Sequence, residues 1–332
     1  VYPPQFPTVA AIHSHWQQGE SILKRYAREE VMQWYEGEKA LAEQSPPVSG
    51  IEHIQSTYQI DHFDLVLLDG AEFLGLQDYQ AVKAADLVVL DDTLSYKNQA
   101  VFAELMADPQ YYLLYSFDRW GHGCAAFKRK QSVSQGISTV IHTRKEAANI
   151  RDCILSLQNL SNEIIVIDMA SDDDTIAQVE ALQSQGLPLR WIPHVPTRGV
   201  DIARNFGLSQ VLYDWTLVVD ADERLNEVLF NTLQGLPSYG TDTAGYWIAR
   251  QNIFFGAPSK ALFPDYQLRF FRSYQAYWPA GVHHYPQLQG KSEQLPLQAH
   301  FVHYSYTNVA DFIMRQHDYA QVLWDNAQLP KA

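Results

Sequence analysis

Apolar and polar positions along the chain follow three successive rhythms. The first covers residues 1–130. Residues 1–16 are Pro-rich and irregular, and SILKRYAREEVMQWYEGEKALAEQ within 17–44 favours a helix that SPPVSG at 45–50 stops. Two short apolar runs come next, FDLVLLDG at 63–70 and ADLVVLDD at 85–92, with a helical stretch between them. Each reads as a buried parallel strand ending in Asp. YYLLYSF (111–117) and CAAFKR (124–129) would add an antiparallel edge, and KRKQSVSQG at 128–136 is polar enough to be a linker.

The second rhythm is regular. STVIH (138–142) precedes a helical stripe at Ile150, Ile154 and Leu157. EIIVID (163–168) precedes a stripe at Ile176, Val179 and Leu182 that Gly186 ends; LRWIP (189–193) leads to a helix over about 199–212, and WTLVVD (215–220) closes the series. Strand and helix alternating with short connections imply a parallel sheet covered on both faces. Ligands of such sheets sit beyond the carboxyl ends of the strands, where His142, Asp168 and Asp220 fall. Beyond 240 the pattern turns aromatic and β-like. It ends in an amphipathic helix with Val309, Phe312, Ile313, Ala320, Leu323 and Trp324 on one stripe, capped by Thr307 or Asn308. That stripe reads as core and not as a membrane-surface face, because its polar side is not Lys-rich.

Composition narrows the function classes. A chain of 332 residues suggests two domains, and a formal net charge of −14 argues against a grip on nucleic-acid phosphates. Cys124 and Cys153 have no metal-ligand spacing, which points to a reducing cytoplasm without a disulfide framework. No apolar run approaches the length of a membrane span, so membrane contact is at most peripheral, at the inner membrane face. The chain starts at Val1, not Met, as a processed or excised piece of something longer would.

The densest chemistry is LVVDADERL at 217–225. Asp220 and Asp222 are two apart, so an extended chain points both the same way, with Ala221 turned away. Two carboxylates aimed at one point repel unless something positive sits there, and Mg²⁺ or Mn²⁺ shared with substrate phosphates would serve. The alternative is that Asp222 and Glu223 cap the following helix. Downstream, PDYQLRFFR at 264–272 read as a strand puts Tyr266, Leu268 and Phe270 on one face and Asp265, Gln267 and Arg269 on the other. The second face suits a cleft; an Asp–Arg structural pair is the competing reading. In QAHFVHYSY, His300 and His303 are three apart and diverge, so they do not clamp one metal together. His283 and His284 diverge likewise, and one of them could line an acceptor cleft.

TVIHTRKEAANIRDCILSL, EIIVIDMASDDDT, RGVDIARNFGL and DWTLVVDADE, in that order, resemble the motifs of family 2 glycosyltransferases, with the closest likeness to the branch that includes lipopolysaccharide-core glucosyltransferases. The resemblance covers about 136–320. It implies an α/β fold of the GT-A type, a Rossmann-like and mostly parallel sheet, over 137–332. It also implies inverting transfer from a nucleotide-diphosphate sugar, UDP-sugar favoured, to a glycan or lipid-linked acceptor. Carried over residue by residue, Thr143 and Glu146 lie in the loop where the family contacts the nucleotide, and Asp168 matches the acid that accepts from the nucleobase. Arg204 matches the basic residue facing the nucleotide, with Gln267 and Arg269 also on the donor side. Asp220 and Asp222 match the motif that holds Mn²⁺ or Mg²⁺ on the diphosphate, and Asp265 matches the catalytic base; His303 matches a position that reaches the metal or the diphosphate, with a satisfied, partly buried histidine as the competing reading. Asp173 matches a family position too but reads as a helix N-terminal acid. The chain departs from the pattern at Lys145, where the family has Asn, and at VHH (282–284), where VHE is usual; both bear on acceptor choice and activity.

The first region, 61–130, resembles part of a class I methyltransferase-like Rossmann domain. It lacks the glycine-rich turn that cradles a cofactor, and GHG at 121–123 opens no helix. The expectation is therefore a partial α/β domain over 1–130 without cofactor, acting as a remnant or docking module, then a linker over 131–136. Asp69, Asp91 and Asp92 would be structural or vestigial. Three rivals remain. A DxD phosphohydrolase wants a small residue and Thr or Val after the second Asp, where DADERL has Glu and Arg. A sugar nucleotidyltransferase needs a Gly-rich first loop, which HTRKEAAN is not. A nucleotide-sugar-binding or scaffolding protein that has lost catalysis is motivated by Lys145, His284 and the degenerate first domain.

Overall fold

The computed structural model describes residues 6–17, 22–44, 50–117, 122–195, 200–238, 242–279 and 285–310, and seven further positions between 312 and 324. Its chain contacts divide into two compact units, Val1–Lys130 and Gln131–Leu329, with Pro330–Ala332 assigned to the first. The first contains α1 (Val9–Gln17), α2 (Arg28–Gln44), α3 (Gly50–Tyr58), β1 (Leu65–Leu68), α4 (Gly75–Ala81), β2 (Leu87–Asp91), α5 (Tyr96–Ala107), β3 (Tyr111–Phe117) and β4 (Cys124–Arg129). Its sheet runs β1-β2-β4-β3, with β1 parallel to β2 and the β2–β4 and β4–β3 pairs antiparallel. The two apolar runs do pair in parallel, but β1 lies at the sheet edge and leaves Leu65 and Leu67 more than half exposed. In β2 one face, Val88 and Leu90, is fully buried, and the other, Leu87 and Val89, is half-buried.

The second unit contains β5 (Ser134–Thr143), α6 (Ile150–Ser156), β6 (Glu163–Asp168), α7 (Thr175–Ser184), β7 (Leu189–Pro193), α8 (Val200–Leu208), β8 (Tyr213–Asp220), β9 (Glu223–Leu225) and α9 (Glu227–Gly235), and then β10 (Thr243–Phe254), β11 (Ala257–Pro258), β12 (Asp265–Arg272), β13 (Ala276–Tyr277), β14 (Gln287–Leu288), β15 (Lys291–Gln294) and β16 (His300–Tyr306). Its main sheet has the order β7-β6-β5-β8-β12-β10-β16-β9. The first four strands are parallel, as the strand–helix alternation requires, and β12 joins β8 antiparallel. Ile141, Val166, Leu217 and Val219 on the strands, Ile154 and Val179 on the helices, and Phe270 and Phe301 on the later strands share one core. Trp215 stacks on Phe270 with ring centroids 4.7 Å apart.

Two expectations change. β5 begins at Ser134, paired to Tyr213, and the Gly136 amide donates to Asp214 Oδ1 at 2.8 Å. Residues 134–136 therefore belong to the sheet and not to a linker. The C-terminal stripe is not core: Val309, Phe312, Ile313, Ala320 and Trp324 are all exposed, and Leu323 lies outside the described side chains. Helical spacing put these side chains on one face, but nothing in the spacing supplied a surface to cover it. No helix among the described residues is long and apolar enough to cross a membrane.

Candidate active site

The parallel strands deliver two acids and a histidine to one end of the second sheet. In register, Thr143 of β5 lies beside Asp168 of β6, and His142 beside Asp220 of β8. Asp168 and Asp220 therefore flank the same strand, two strand spacings or roughly 9–10 Å apart. Helix α8 closes on β5 at Gly207, where a Cβ would come within 2.7 Å of Val140 and 2.9 Å of His142. That close approach brings the Ala203 carbonyl 3.1 Å from His142 Nε2 and aims Arg204 at Asp220. Burial, then the Arg204 charge, pushes the His142 pKa down to about 3, so this imidazole is neutral.

Asp220 does not meet a bare carboxylate neighbour. Arg269 of β12 grips it with both guanidinium nitrogens, Nη2 at 2.5 Å from Oδ2 and Nη1 at 3.3 Å from Oδ1, and Arg204 Nη2 lies 2.9 Å from Oδ1. Arg250 of β10 stands 4.0 Å away, and also reaches Glu223 at 3.4 Å and Asp265 at 2.7 Å. Three guanidinium groups thus face three carboxylates in a planar, forked arrangement that a lysine could not reproduce. Burial alone would raise the Asp220 pKa; Arg269, Arg204 and Arg250 outweigh it and hold the group well below the ordinary carboxylate value. Glu223 is fully buried and accepts the Asp220 amide at 2.9 Å. The helix-cap reading of Asp222 and Glu223 falls, because Asn226 caps α9 by accepting from the Leu229 amide at 2.8 Å.

Asp222 faces His303 of β16. Its Oδ2 lies 3.3 Å from His303 Nε2. The other ring nitrogen of His303 is 2.5 Å from Asn252 Oδ1 and 2.8 Å from Ser305 Oγ. A carboxylate oxygen and an imidazole nitrogen side by side are donors that suit Mn²⁺, and a pair of protein ligands with phosphate oxygens and waters completing the shell is the usual magnesium pattern. The pair fits such an ion. Asp220 does not join it: among the described residues, no three metal-binding side chains of this unit gather within one ligand sphere.

Asp265, at the start of β12, is held by Arg250 on Oδ2 and by Gln267 Nε2 on Oδ1 at 2.8 Å. Burial would raise its pKa, but Arg250 outweighs it and lowers the value, so the carboxylate is ionised and is a weaker base than a free one. The partner is Arg250 on the neighbouring strand, in register with Asp265, and not Arg269 on its own strand.

The loop side is separate. Asp168 is 5% exposed and takes both the Ser171 amide at 3.1 Å and its hydroxyl at 2.6 Å. Thr143 Oγ1 is buried with no hydrogen-bond partner among the described residues. The Glu146 amide donates to Thr175 Oγ1, and its carboxylate accepts from the Asn149 side chain. Asp173 accepts from the Thr175 amide at the start of α7 and from the Ala147 amide, which ties the two loops together. Lys145 has φ 58°, a left-handed conformation that Asn adopts more readily than Lys, and it pairs with Asp172 at 2.9 Å.

The sequence-derived residues therefore form two neighbouring groups, Thr143, Glu146 and Asp168 on one side and Arg204, Asp220, Gln267, Arg269 and Asp265 on the other, with Asp222 and His303 beside the second. His300 turns away to the Leu297 carbonyl and Asn226. His283 and His284 lie outside the described residues. Sequence reasoning missed Arg250 and Asn252, although IARQN at 248–252 alternates an arginine and an amide at positions two apart, a signal for one shared face.

Residues 138–287 match the model of glycosyl transferase family 2. The lipopolysaccharide core biosynthesis glycosyltransferase LpsC of Rhizobium meliloti is 32% identical over 120 residues, 36% of this chain and 44% of that protein. An uncharacterised glycosyltransferase of Rickettsia prowazekii is 35% identical over 98 residues, 30% of this chain and 32% of that one. The chain thus spans less than half the length of these curated relatives. The crystal structure of TarS from S. aureus overlaps 57% of this chain and 63% of that one at 18% identity and a TM-score of 0.39, too loosely to carry an argument. The segment 138–287, which holds the strand-end acids Asp168 and Asp220 within a mixed α/β sheet, is therefore the part of the chain that is similar to glycosyl transferase family 2.

Proposed function

We propose that the second unit transfers a sugar, with inversion, from a nucleotide-diphosphate donor, UDP-sugar favoured, to a hydroxyl of a glycan or lipid-linked acceptor. The observation that carries this reading is the strand-end arrangement itself: ionised Asp220 in an arginine cluster and Asp222 beside it, both inside the family-matched segment, with Asp222 3.3 Å from His303, which lies beyond that segment. Asp222 and His303 would hold Mn²⁺ or Mg²⁺, which when bound neutralises charge on the departing diphosphate. Arg204 and Arg269, fixed on Asp220, present positive charge at the same rim with little motion required, the kind of preorganised electrostatics that usually dominates catalysis. Thr143, Glu146 and Asp168 would face the nucleoside, with the buried Thr143 hydroxyl and the Asp168 carboxylate as its polar contacts. Asp265 would accept the acceptor proton, and Gln267 would orient it.

A second reading is favoured by one observation. Asp265 is locked to Arg250 and Gln267, which suits a protein that binds nucleotide sugar without turning it over. A DxD phosphohydrolase is disfavoured, since a nucleophilic Asp220 would have both oxygens bound to arginine. Incubation of the full chain with UDP-glucose and Mn²⁺, with candidate acceptors added in turn, separates the readings. Acceptor-dependent UDP release supports transfer; tight binding with no release against any acceptor supports the binding protein.

A further inference from the structure

Asn252 sits on β10 between the two functional strands. It lies in register with His303 of β16, two residues beyond the Arg250–Asp265 pairing with β12, and is 5% exposed. Its amide has one donor end and one acceptor end, and its neighbours settle which is which. Asp265 Oδ2, 3.4 Å from Nδ2, belongs to an ion-paired carboxylate and can only accept. The donor end of Asn252 therefore faces Asp265, and Oδ1 faces His303 Nδ1 at 2.5 Å. An amide oxygen has no proton to give, so the proton of that contact is on Nδ1. Ser305 agrees with this assignment: its hydroxyl donates to Asn252 Oδ1 at 3.4 Å, and its oxygen stands 2.8 Å from Nδ1–H.

The consequence falls on the opposite ring nitrogen. With Nδ1 holding its proton, Nε2 is the nitrogen left to give a lone pair to a cation, 3.3 Å from Asp222 Oδ2. Two electron-pair donors facing each other form a poor contact by themselves and a good pair of ligands. We propose that Asn252 is a positioning residue: it fixes the Nδ1–H tautomer of His303 so that Nε2 faces the same point as Asp222. The same amide links the cation-holding pair to Asp265. This inference rests on reading Asp222 and His303 as ligands of a divalent cation, and it adds what sets their geometry.

The test uses the full chain and Mn²⁺ alone, with free Mn²⁺ counted by electron paramagnetic resonance. A partner that orients a metal-bound histidine typically changes affinity by about 10–100-fold when it is removed, and that is the loss expected for Asn252→Leu. Asn252→Asp keeps an acceptor opposite Nδ1 and should stay close to the parent affinity. Nitrogen-15 spectra of histidine-labelled parent protein in Mg²⁺ should show His303 protonated at Nδ1 and not at Nε2; this reading needs no variant to fold. An Nε2–H tautomer, or unchanged Mn²⁺ affinity in Asn252→Leu while His303→Ala loses affinity, overturns the role of Asn252. Unchanged Mn²⁺ affinity in His303→Ala instead overturns the ligand reading beneath it.

Discussion

In the first unit, the acids that close β1 and β2 are gathered by a lysine; in the second, the acids around the end of β8 are gripped by three arginines. Asp69, Asp91 and Asp92 bring ligand oxygens within 4.8 Å of one another, and Lys97 Nζ lies 2.9 Å from Asp69 and 2.8 Å from Asp92. The Asp69 side chain is 55% exposed, so water screens much of that cluster. Asp220, Glu223 and Asp265 meet planar forks instead, and Glu223 sees no water at all. The same sequence device, an apolar strand ending in Asp, thus gives a screened surface cluster in one place and a fixed, desolvated charge array in the other. The elements that bring the cations decide the outcome. Lys97 comes from α5, immediately after β2, whereas the arginines arrive from α8, β10 and β12.

The sharpest way to break this contrast is Glu223→Ala. Removing one partner from a buried ion cluster costs about 3–5 kcal/mol, and native-state hydrogen exchange of the β8 and β9 amides should read it. Asp265→Asn should lower turnover by about 10²–10⁴-fold with UDP binding retained, as the loss of a general base does; equal losses in both would make Asp265 a structural partner of Arg250. The pH dependences should also run in opposite directions. His142 has a folded pKa of about 3, below its ordinary 6.5, so the unfolded chain takes up a proton that the folded chain refuses. Stability of the second unit should fall as pH drops from 6.5 towards 3, and His142→Gln should remove that slope. Asp220 adds a loss of its own only below its ordinary value of 3.8. In the first unit, burial raises Glu72 to about 7 from 4.5, so its contribution is complete below 4.5 and is lost as pH rises through 7; Glu72→Gln should flatten that fall. Exchange rates of peptides from each unit, tracked against pH, check both signs. The smallest effect is expected for Asp69→Ala, about 0–1 kcal/mol as for other exposed pairs. A loss there as large as that of Glu223→Ala would erase the difference between the two clusters.

Much of this is legible in the chain because period-two and period-3.6 patterns are local. The parallel strands ending at His142, Asp168 and Asp220, the same-side pair Asp220 and Asp222, and the alternation of Asp265, Gln267 and Arg269 are all set by spacing. The ordered motifs point to the family by themselves. Strand adjacency is what spacing does not contain. Arg250 meets Asp265, and Asn252 meets His303, only because β10 lies between β12 and β16, a non-sequential order that no local pattern encodes. For the same reason spacing alone suggests that one cation relieves both Asp220 and Asp222, whereas arginines 16, 30 and 49 residues away in the sequence relieve Asp220. The exposed β1 edge and the uncovered C-terminal stripe show the converse: an apolar pattern names a face that can be buried and says nothing of what lies opposite.

Equilibrium binding of UDP to the full chain, with and without Mn²⁺, in parent and Asp222→Ala proteins, tests the central claim most directly. Binding that strengthens with Mn²⁺ in the parent, and loses that strengthening in Asp222→Ala while Asp69→Ala keeps it, is the expected result. UDP affinity indifferent to Mn²⁺, or left intact by Asp222→Ala, would contradict the assignment of the β8 acids to a nucleotide-sugar site.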